Sequence, residues 1–546
     1  MSRRSSFVVL FAFAFVTMAL AATPAAADTC SDLMSNAALK ALPDTTVTSA
    51  ATVSGTFTPP NGGMPIQGLP SFCRVTVTLK PSPASDIKVE VWMPTTGWNG
   101  KFEGVGNGGL GGIISYTNLP NYLDRAALVD AIKAGYASAS TDTGHVADDR
   151  TWLASEDKER DYGYRAIHEM TVTAKAVIKG FYGRPPSRSY FNGCSTGGGQ
   201  ALGEAQLYPQ DYDGILAGDS QNILTHSRAS DIWASQAVNN ENKLTEAALS
   251  LVKTTVLKQC GAKDGSLEDG FLRSDRRQCQ FNPEQLLCKE GQDPATCLTA
   301  PQAELMMKFS EGYITHSKQP IMAGLWGPGA LGWGGYNRVY MNPAFNASSP
   351  AGQFYGLGVL QNPNLDVHTM DIDNAVALAD KKFGFITHTS TDMDAFMRRG
   401  GKLLMYHGWD DPSISAMNSI NYYSSVVQTV QAKRHLDSMK SALVETQKSA
   451  RLFLLPGVGH CGGGPGADTF DAVGILDQWV DRGMAPDQII ASHATPAFTR
   501  PLCAYPKEAR YTGSGDRTDA KNWSCVAGTR PLEDFDANLY KAINTK

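Results

Sequence analysis

The pentapeptide Gly193-Cys194-Ser195-Thr196-Gly197 constrains this chain more than any other stretch, because it fits the pattern GxSxG and follows the apolar run Ser189-Tyr190-Phe191. That pattern carries a strand into a helix through a strained turn, and residues without bulk on either side let strand and helix pack closely. The serine hydroxyl is left standing above the end of a sheet. A chain organised around such a turn is expected to be an α/β protein, and the neighbouring periodicities agree. Residues 87–93 alternate apolar and polar like a half-buried strand, and 137–141 form another short one. Ile167, Met170, Val172, Ala174, Ala176 and Val177 predict a helix over about 162–180, ended by Gly180. A further helix should begin near Gly198. Residues 402–406 and 451–455 are compact apolar runs of strand length, each running into a glycine-containing turn. Strands alternating with helices imply a mainly parallel sheet covered on both faces.

Between residues 221 and 388 the character changes. Four cysteines crowd into 260–297, and the stretch from Trp326 to Tyr336 is rich in Gly, Trp and Tyr. This block is expected to be an insertion over the sheet, with residues 28–220 and 389–546 as the two parts of one core. A chain of 546 residues, 42% of them hydrophobic, can bury a core of that size. Residues 1–27 are expected to be removed as a signal peptide. Arg3 and Arg4 precede an apolar run over 7–20, and Ala25-Ala26-Ala27 offers small residues to a signal peptidase. The run falls short of the roughly 20 residues that cross a bilayer, so the mature chain is expected to be secreted or periplasmic, with no membrane anchor. The full sequence has 48 basic and 53 acidic residues, a formal net charge of −5, which gives no support for a nucleic-acid partner. All 10 cysteines lie beyond the leader, and an even number in an exported chain favours disulfides over free thiols. No CxxC pair occurs, so a structural zinc site has little support.

A nucleophilic serine needs a base, and the base needs an orienting carboxylate. On an α/β-hydrolase sheet these follow in the order serine, acid, histidine, on loops after later strands. After the 402–406 strand comes His407-Gly408-Trp409-Asp410-Asp411-Pro412, and after 451–455 comes Pro456-Gly457-Val458-Gly459-His460-Cys461. His460 is therefore the expected general base and Asp411 the expected acid, with Asp410 second. An Asp before Pro-Ser is equally suited to capping the next helix. Cys194 directly precedes Ser195 and Cys461 directly follows His460. A bridge between them would hold their Cα atoms about 4.4–6.8 Å apart and make serine and histidine neighbours.

These residues carry a resemblance. The Cys-Ser, Asp and His-Cys arrangement resembles the tannase and feruloyl esterase family. So do Thr141-Asp142-Thr143-Gly144-His145, Tyr164-Arg165-Ala166-Ile167-His168-Glu169-Met170 and Tyr208-Pro209-Gln210-Asp211-Tyr212-Asp213-Gly214-Ile215. That family also includes mono(2-hydroxyethyl) terephthalate hydrolases, and the similarity runs from about Cys30 to Cys525. It implies an α/β-hydrolase fold with a large disulfide-bonded lid over 221–388 and a triad of Ser195, Asp411 and His460. It also implies five bridges: Cys30 with Cys73, Cys194 with Cys461, Cys260 with Cys279, Cys288 with Cys297, and Cys503 with Cys525. Thr196 N–H is the expected first oxyanion donor. The second should come from Gly106-Asn107-Gly108-Gly109-Leu110-Gly111-Gly112, with Gly109 preferred to Gly108.

As a nucleotide loop that stretch is weak, because the dinucleotide-binding fingerprint needs a helix opening directly after it and an acidic residue about 20 positions on. The resemblance further implies calcium in the lid, through Asp264 and Asp269, although Gly261 stands where relatives have another aspartate. Gly199 stands where many relatives carry arginine. The implied substrates are plant-derived esters of hydroxycinnamic, gallic or related aromatic acids. Terephthalate monoesters, or a non-catalytic binding module on the same fold, are the competing readings. Trp326, Trp333 and Tyr336 suit either a stacking surface or a core.

Overall fold

The structure is a computed structural model and describes residues 29–60, 62–117, 126–147, 149–261, 268–273, 275–279, 281–316, 320–324 and 346–536. The expected leader, Asp264 and the aromatic group Trp326, Trp333 and Tyr336 lie outside these residues. The strands are β1 Thr45–Phe57, β2 Ile66–Leu79, β3 Ile87–Pro94, β4 Lys101–Val105, β5 Ala137–Thr141, β6 Arg188–Cys194 and β7 Gly214–Gly218, then β8 Gly312–Ile314 and β9 Pro320–Ala323. They continue with β10 Lys402–Gly408, β11 Ala450–Leu455, β12 Gln488–His493, β13 Phe498–Cys503, β14 Lys507–Tyr511 and β15 Trp523–Ala527. Among the described residues, nine strands form one sheet in the order β1-β2-β3-β5-β4-β6-β7-β10-β11. Pairing is parallel from β5 through β4, β6, β7 and β10 to β11, and antiparallel from β1 through β2 and β3 to β5. The sheet is thus an α/β-hydrolase sheet, parallel where the site sits.

Side-chain alternation decides which helices cover which face. Phe191, Ile215, Leu403, Met405 and Leu452 pack with apolar residues of the helices Ala166–Tyr182, Thr196–Leu207 and Ala416–Lys433. Their neighbours Tyr190, Leu216, Leu404, Tyr406 and Phe453 face the helix Ala472–Arg482 through Leu476 and Trp479. Each large side chain removed from water this way stabilises by about 1.5–3 kcal/mol. The helix Ala166–Tyr182 buries Ile167, Met170, Ala174, Val177, Ile178 and Phe181 on one stripe, leaves Val172 exposed, and stops at Gly183 with φ 70°. It opens on a π-helical turn, Asp161–Arg165, where buried Asp161 accepts from Ser85 and Arg165.

Between β7 and β10 the described chain adds no strand to this sheet. It is mainly helical, with β8 and β9 paired to each other, and it keeps an apolar cluster of its own around Leu249, Val252, Leu298, Leu305, Met306 and Phe309. Two bridges tie it internally, Cys260–Cys279 and Cys288–Cys297, while Cys30–Cys73 and Cys503–Cys525 lie in the core segments. No helix among the described residues is long and apolar enough to cross a membrane.

Candidate active site

Ser195 occupies the turn between β6 and the helix Thr196–Leu207 with φ 63° and ψ −121°. Such backbone costs on the order of 1–3 kcal/mol for a residue with a side chain, so the surroundings must enforce it. They do so through backbone hydrogen bonds: Ser195 N–H donates to Gly218 O at 3.0 Å, and Ser195 O accepts from Gly199 N at 3.0 Å and Gln221 N at 2.9 Å. Close backbone approach completes the turn, since a Cβ on Gly193 would lie 2.5 Å from Gly197 O. A Cβ on Gly199 would lie 2.4 Å from Gln221 O, so this backbone has no room for a side chain there without a shift.

Asp411 and His460 sit on the loops after β10 and β11. His460 Nδ1–H donates to Asp411 Oδ2 at 2.6 Å, because an ionised carboxylate can only accept. That tautomer leaves Nε2 as the basic nitrogen. Burial opposes a charge on His460, yet the charge and hydrogen bond of Asp411, with Asp219 behind it, outweigh burial and raise the imidazole pKa to about 9. Burial also pushes the Asp411 carboxyl up, but His460 and His407 overcome this and hold it well below the usual carboxylate range. The capping alternative operates on the other oxygen: Asp411 Oδ1 accepts from Ser413 N at 2.7 Å and Ile414 N at 3.0 Å. Ser415 caps the helix that follows. The carboxylate that meets His460 is Asp411, not Asp410. Cys194 and Cys461 are bridged, with Cα atoms 5.9 Å apart, so the residue before Ser195 is covalently joined to the residue after His460.

The N–H groups of Thr196 and Gly109 donate to no protein atom among the described residues. Thr196 Oγ1 donates to Gly109 O at 2.5 Å, which ties the two loops that carry them. The glycine loop is braced from the Thr141 to His145 segment. Asn107 Nδ2 donates to Ile113 O at 2.9 Å and Thr141 O at 2.8 Å, and Gly112 N donates to Asp142 O at 3.0 Å. Burial pushes His145 down to about 4, so its ring is neutral at pH 7 and its Nε2–H donates to Leu110 O at 2.9 Å. Sequence reasoning quoted this segment without giving it that bracing role. His407 and Asp219, buried beside Asp411, also had no role legible in the sequence: His407 reads there as the first residue after a strand, and residues 214–218 do not read as a strand.

Asp269 does not fit a cation. Its oxygens meet Arg273 Nε at 2.5 Å and Arg500 Nη2 at 3.1 Å. A calcium ion on Asp269 would compete with two guanidinium groups.

The sequence pattern of the tannase and feruloyl esterase family matches residues 73–526. An uncharacterized esterase of Xanthomonas campestris pv. campestris is 33% identical over 94% of this chain and 93% of its own. A mono(2-hydroxyethyl) terephthalate hydrolase of Piscinibacter sakaiensis is 30% identical over 84% of this chain and 85% of its own. Among solved structures, feruloyl esterase B from Aspergillus oryzae superposes with a TM-score of 0.79 at 27% identity, covering 91% of this chain and 100% of that one.

Proposed function

Because this chain belongs to the tannase and feruloyl esterase family and is a carboxylic ester hydrolase, we propose that it is exported and cleaves esters of aromatic acids through an acyl-enzyme on Ser195. Asp411 and His460 complete the triad, and the hydrogen bond between them, on a loop bridged to the neighbour of Ser195, is the observation that carries the reading. His460 Nε2 takes the proton from Ser195 Oγ as that oxygen attacks the ester carbonyl carbon. The carbonyl oxygen becomes negative and is met by the N–H groups of Thr196 and Gly109; one such donor is worth about 3–4 kcal/mol of barrier. Protonated His460 passes its proton to the departing alcohol oxygen. A water, deprotonated by His460, then attacks the acyl carbon, and the acid leaves as Ser195 regains its proton.

The test is a steady-state panel of methyl ferulate, methyl gallate, chlorogenate and a terephthalate monoester. Turnover of short p-nitrophenyl esters with none of these overturns the aromatic-acid reading. The similarity to the Piscinibacter sakaiensis enzyme supports the monoester as the second reading, and a kcat/KM highest on that substrate selects it. A fluorophosphonate probe separates both from an inert binding module, which would stay unlabelled.

A further inference from the structure

Behind Asp411 lies a buried array that the acyl-transfer steps do not use. His407, in β10, is fully buried, and its Nε2 faces Ile414 O at 3.0 Å, Asp411 Oδ2 at 3.4 Å and Asp219 Oδ1 at 3.4 Å. A nitrogen surrounded by acceptors must carry hydrogen. Nδ1 lies 2.7 Å from Ser419 Oγ, a hydroxyl able to accept as well as donate. Both ring nitrogens can therefore donate, as an imidazolium requires. Asp219 is 1% exposed and follows β7 with φ 38°, an unusual backbone for a residue with a side chain. Its Oδ1 accepts from Gly408 N at 2.9 Å, whereas its Oδ2 lies 3.5 Å from Cys194 Sγ, which has no proton to give because it is bridged. One backbone donor is thin compensation for a buried carboxylate; a facing imidazolium supplies the rest. The array runs His460, Asp411, His407, Asp219, and its far end returns to the disulfide that adjoins both Ser195 and His460.

We propose that Asp219 and His407 form a buried, net-neutral ion pair that positions Asp411 and sets the pH range in which His460 serves as base. Both are positioning residues, and the proposal rests on the triad reading. Asp219 and Asp411 both favour charge on His407, so Asp411 still supports it when Asp219 is made neutral; His407 in turn presents Nε2–H and positive charge to Asp411. The groups facing the pair are Gly408 N–H, Asp411 and Ile414 O from β10 and its loop, Ser419 from the following helix, bridged Cys194 from β6, and His460 from the loop after β11. Burial pushes Asp219 up to about 6. Burial opposes charge on His407, but Asp219 above all reverses this and leaves the ring raised.

The pH dependence of kcat/KM tests this with the full chain, on whichever ester in the substrate panel turns over fastest, in wild type, Asp219→Asn, His407→Gln and the double variant. The negative charge of Asp219 raises the His460 pKa, so its loss should move the acidic limb to lower pH by about 0.5–1 unit. Loss of a positive charge at His407 should move the limb up by a similar amount. The double variant, having lost both charges, should fall within about 0.3 unit of wild type. Both singles should change kcat more than KM. A pair that only packs would lower thermal stability in all three variants and leave the limb in place; that result, or singles shifting in the same direction, overturns the proposal. Should Asp219→Asn or His407→Gln not fold, Ser419→Ala carries the test. It removes only the Nδ1 acceptor, weakens the imidazolium, and should move the limb up by a smaller amount; an unmoved limb overturns the proposal. Ser195→Ala and His460→Ala keep the two readings apart. Activity surviving in them sinks the triad, whereas activity lost in them with unmoved limbs elsewhere sinks only the ion pair.

Discussion

The serine side and the histidine side of the site are held in place by different forces. Ser195 is fixed by hydrogen bonds and glycine contacts within one strand–turn–helix unit and the strand end beside it. His460 lies in a loop where Gly457, Cys461, Gly462, Gly463 and Gly464 all take positive φ, and its ties are long-range: the bridge to Cys194, across 267 positions, and the hydrogen bond to Asp411. Local contacts can enforce strained backbone cheaply, because their entropy is already spent in forming the strand and helix. The histidine loop has short contacts of its own, Gly459 N to Gly463 O at 3.0 Å and Gly466 N to Gly457 O at 2.9 Å, and adds the bridge as a distant anchor. The difference teaches that one half of the site is specified by a short pattern and the other by topology.

The comparison breaks most sharply at its chemical ends. Ser195→Ala should lower kcat by about 10⁴–10⁶-fold and abolish fluorophosphonate labelling, with the thermal midpoint within about 2 °C of wild type, since the local contacts survive. A large loss of stability instead would mean that the hydroxyl itself holds the turn. Asp411→Asn attacks the other side and should cost about 10⁴-fold in kcat. Its pH signature follows from the shift at His460. Only the neutral imidazole accepts a proton, and Asp411 raises its pKa, so the wild-type acidic limb should lie above the ordinary 6.5. The uncharged amide should move that limb down; a limb that stays put would detach Asp411 from the base.

Removing the bridge sharpens the contrast. Cys194→Ala with Cys461→Ala should lower unfolding stability by about 2–5 kcal/mol in urea titrations, the usual cost of a lost native disulfide. It should also lower kcat more than it raises KM, because His460 then loses its covalent tie to the neighbour of Ser195 and keeps the hydrogen bond to Asp411. Unchanged kcat would show that the hydrogen bond suffices. On the serine side, Gly199→Ala should cost about 1–3 kcal/mol, the usual range for overpacking, as its Cβ meets Gln221 O.

The same contrast explains what the sequence made legible. β5 lies over the expected 137–141, β3 adds only Pro94 to the alternating run, and β11 adds only Ala450 to its own. β10 runs two residues past Tyr406 because His407 and Gly408 still pair with Leu454 and Leu455. The elbow, too, was visible in five residues. β1 escaped because its Thr, Ser and Ala side chains are mostly half-buried or exposed and show no apolar rhythm. β7 escaped because Gly-Ile-Leu-Ala-Gly is short and glycine-bounded, although it is fully buried. With β7 unread, Asp219 could not be placed at a strand end beside His407. Contacts between the ends of neighbouring strands are products of sheet order, and no local spacing encodes them.

The smallest expected effect comes from the inserted segment, which supplies neither tie. Asp269 sits between Arg273 and Arg500, and both guanidinium groups lie over the Trp523 ring, at 4.7 and 4.2 Å from its centroid. Charge and ring together already join this segment to the strand β15. A calcium ion at Asp269 would approach two positive charges and forfeit both pairs, an arrangement poorly matched to a hard cation that wants several free oxygens. Dialysis against EDTA should therefore leave kcat/KM unchanged and the thermal midpoint within about 1 °C, and millimolar calcium should restore nothing. Binding would announce itself clearly: a ligand present at a hundred times its Kd stabilises by about 2.7 kcal/mol. A rise of several degrees on adding calcium would show that the native chain binds the ion, and would overturn the reading of Asp269 as fully engaged by its two arginines.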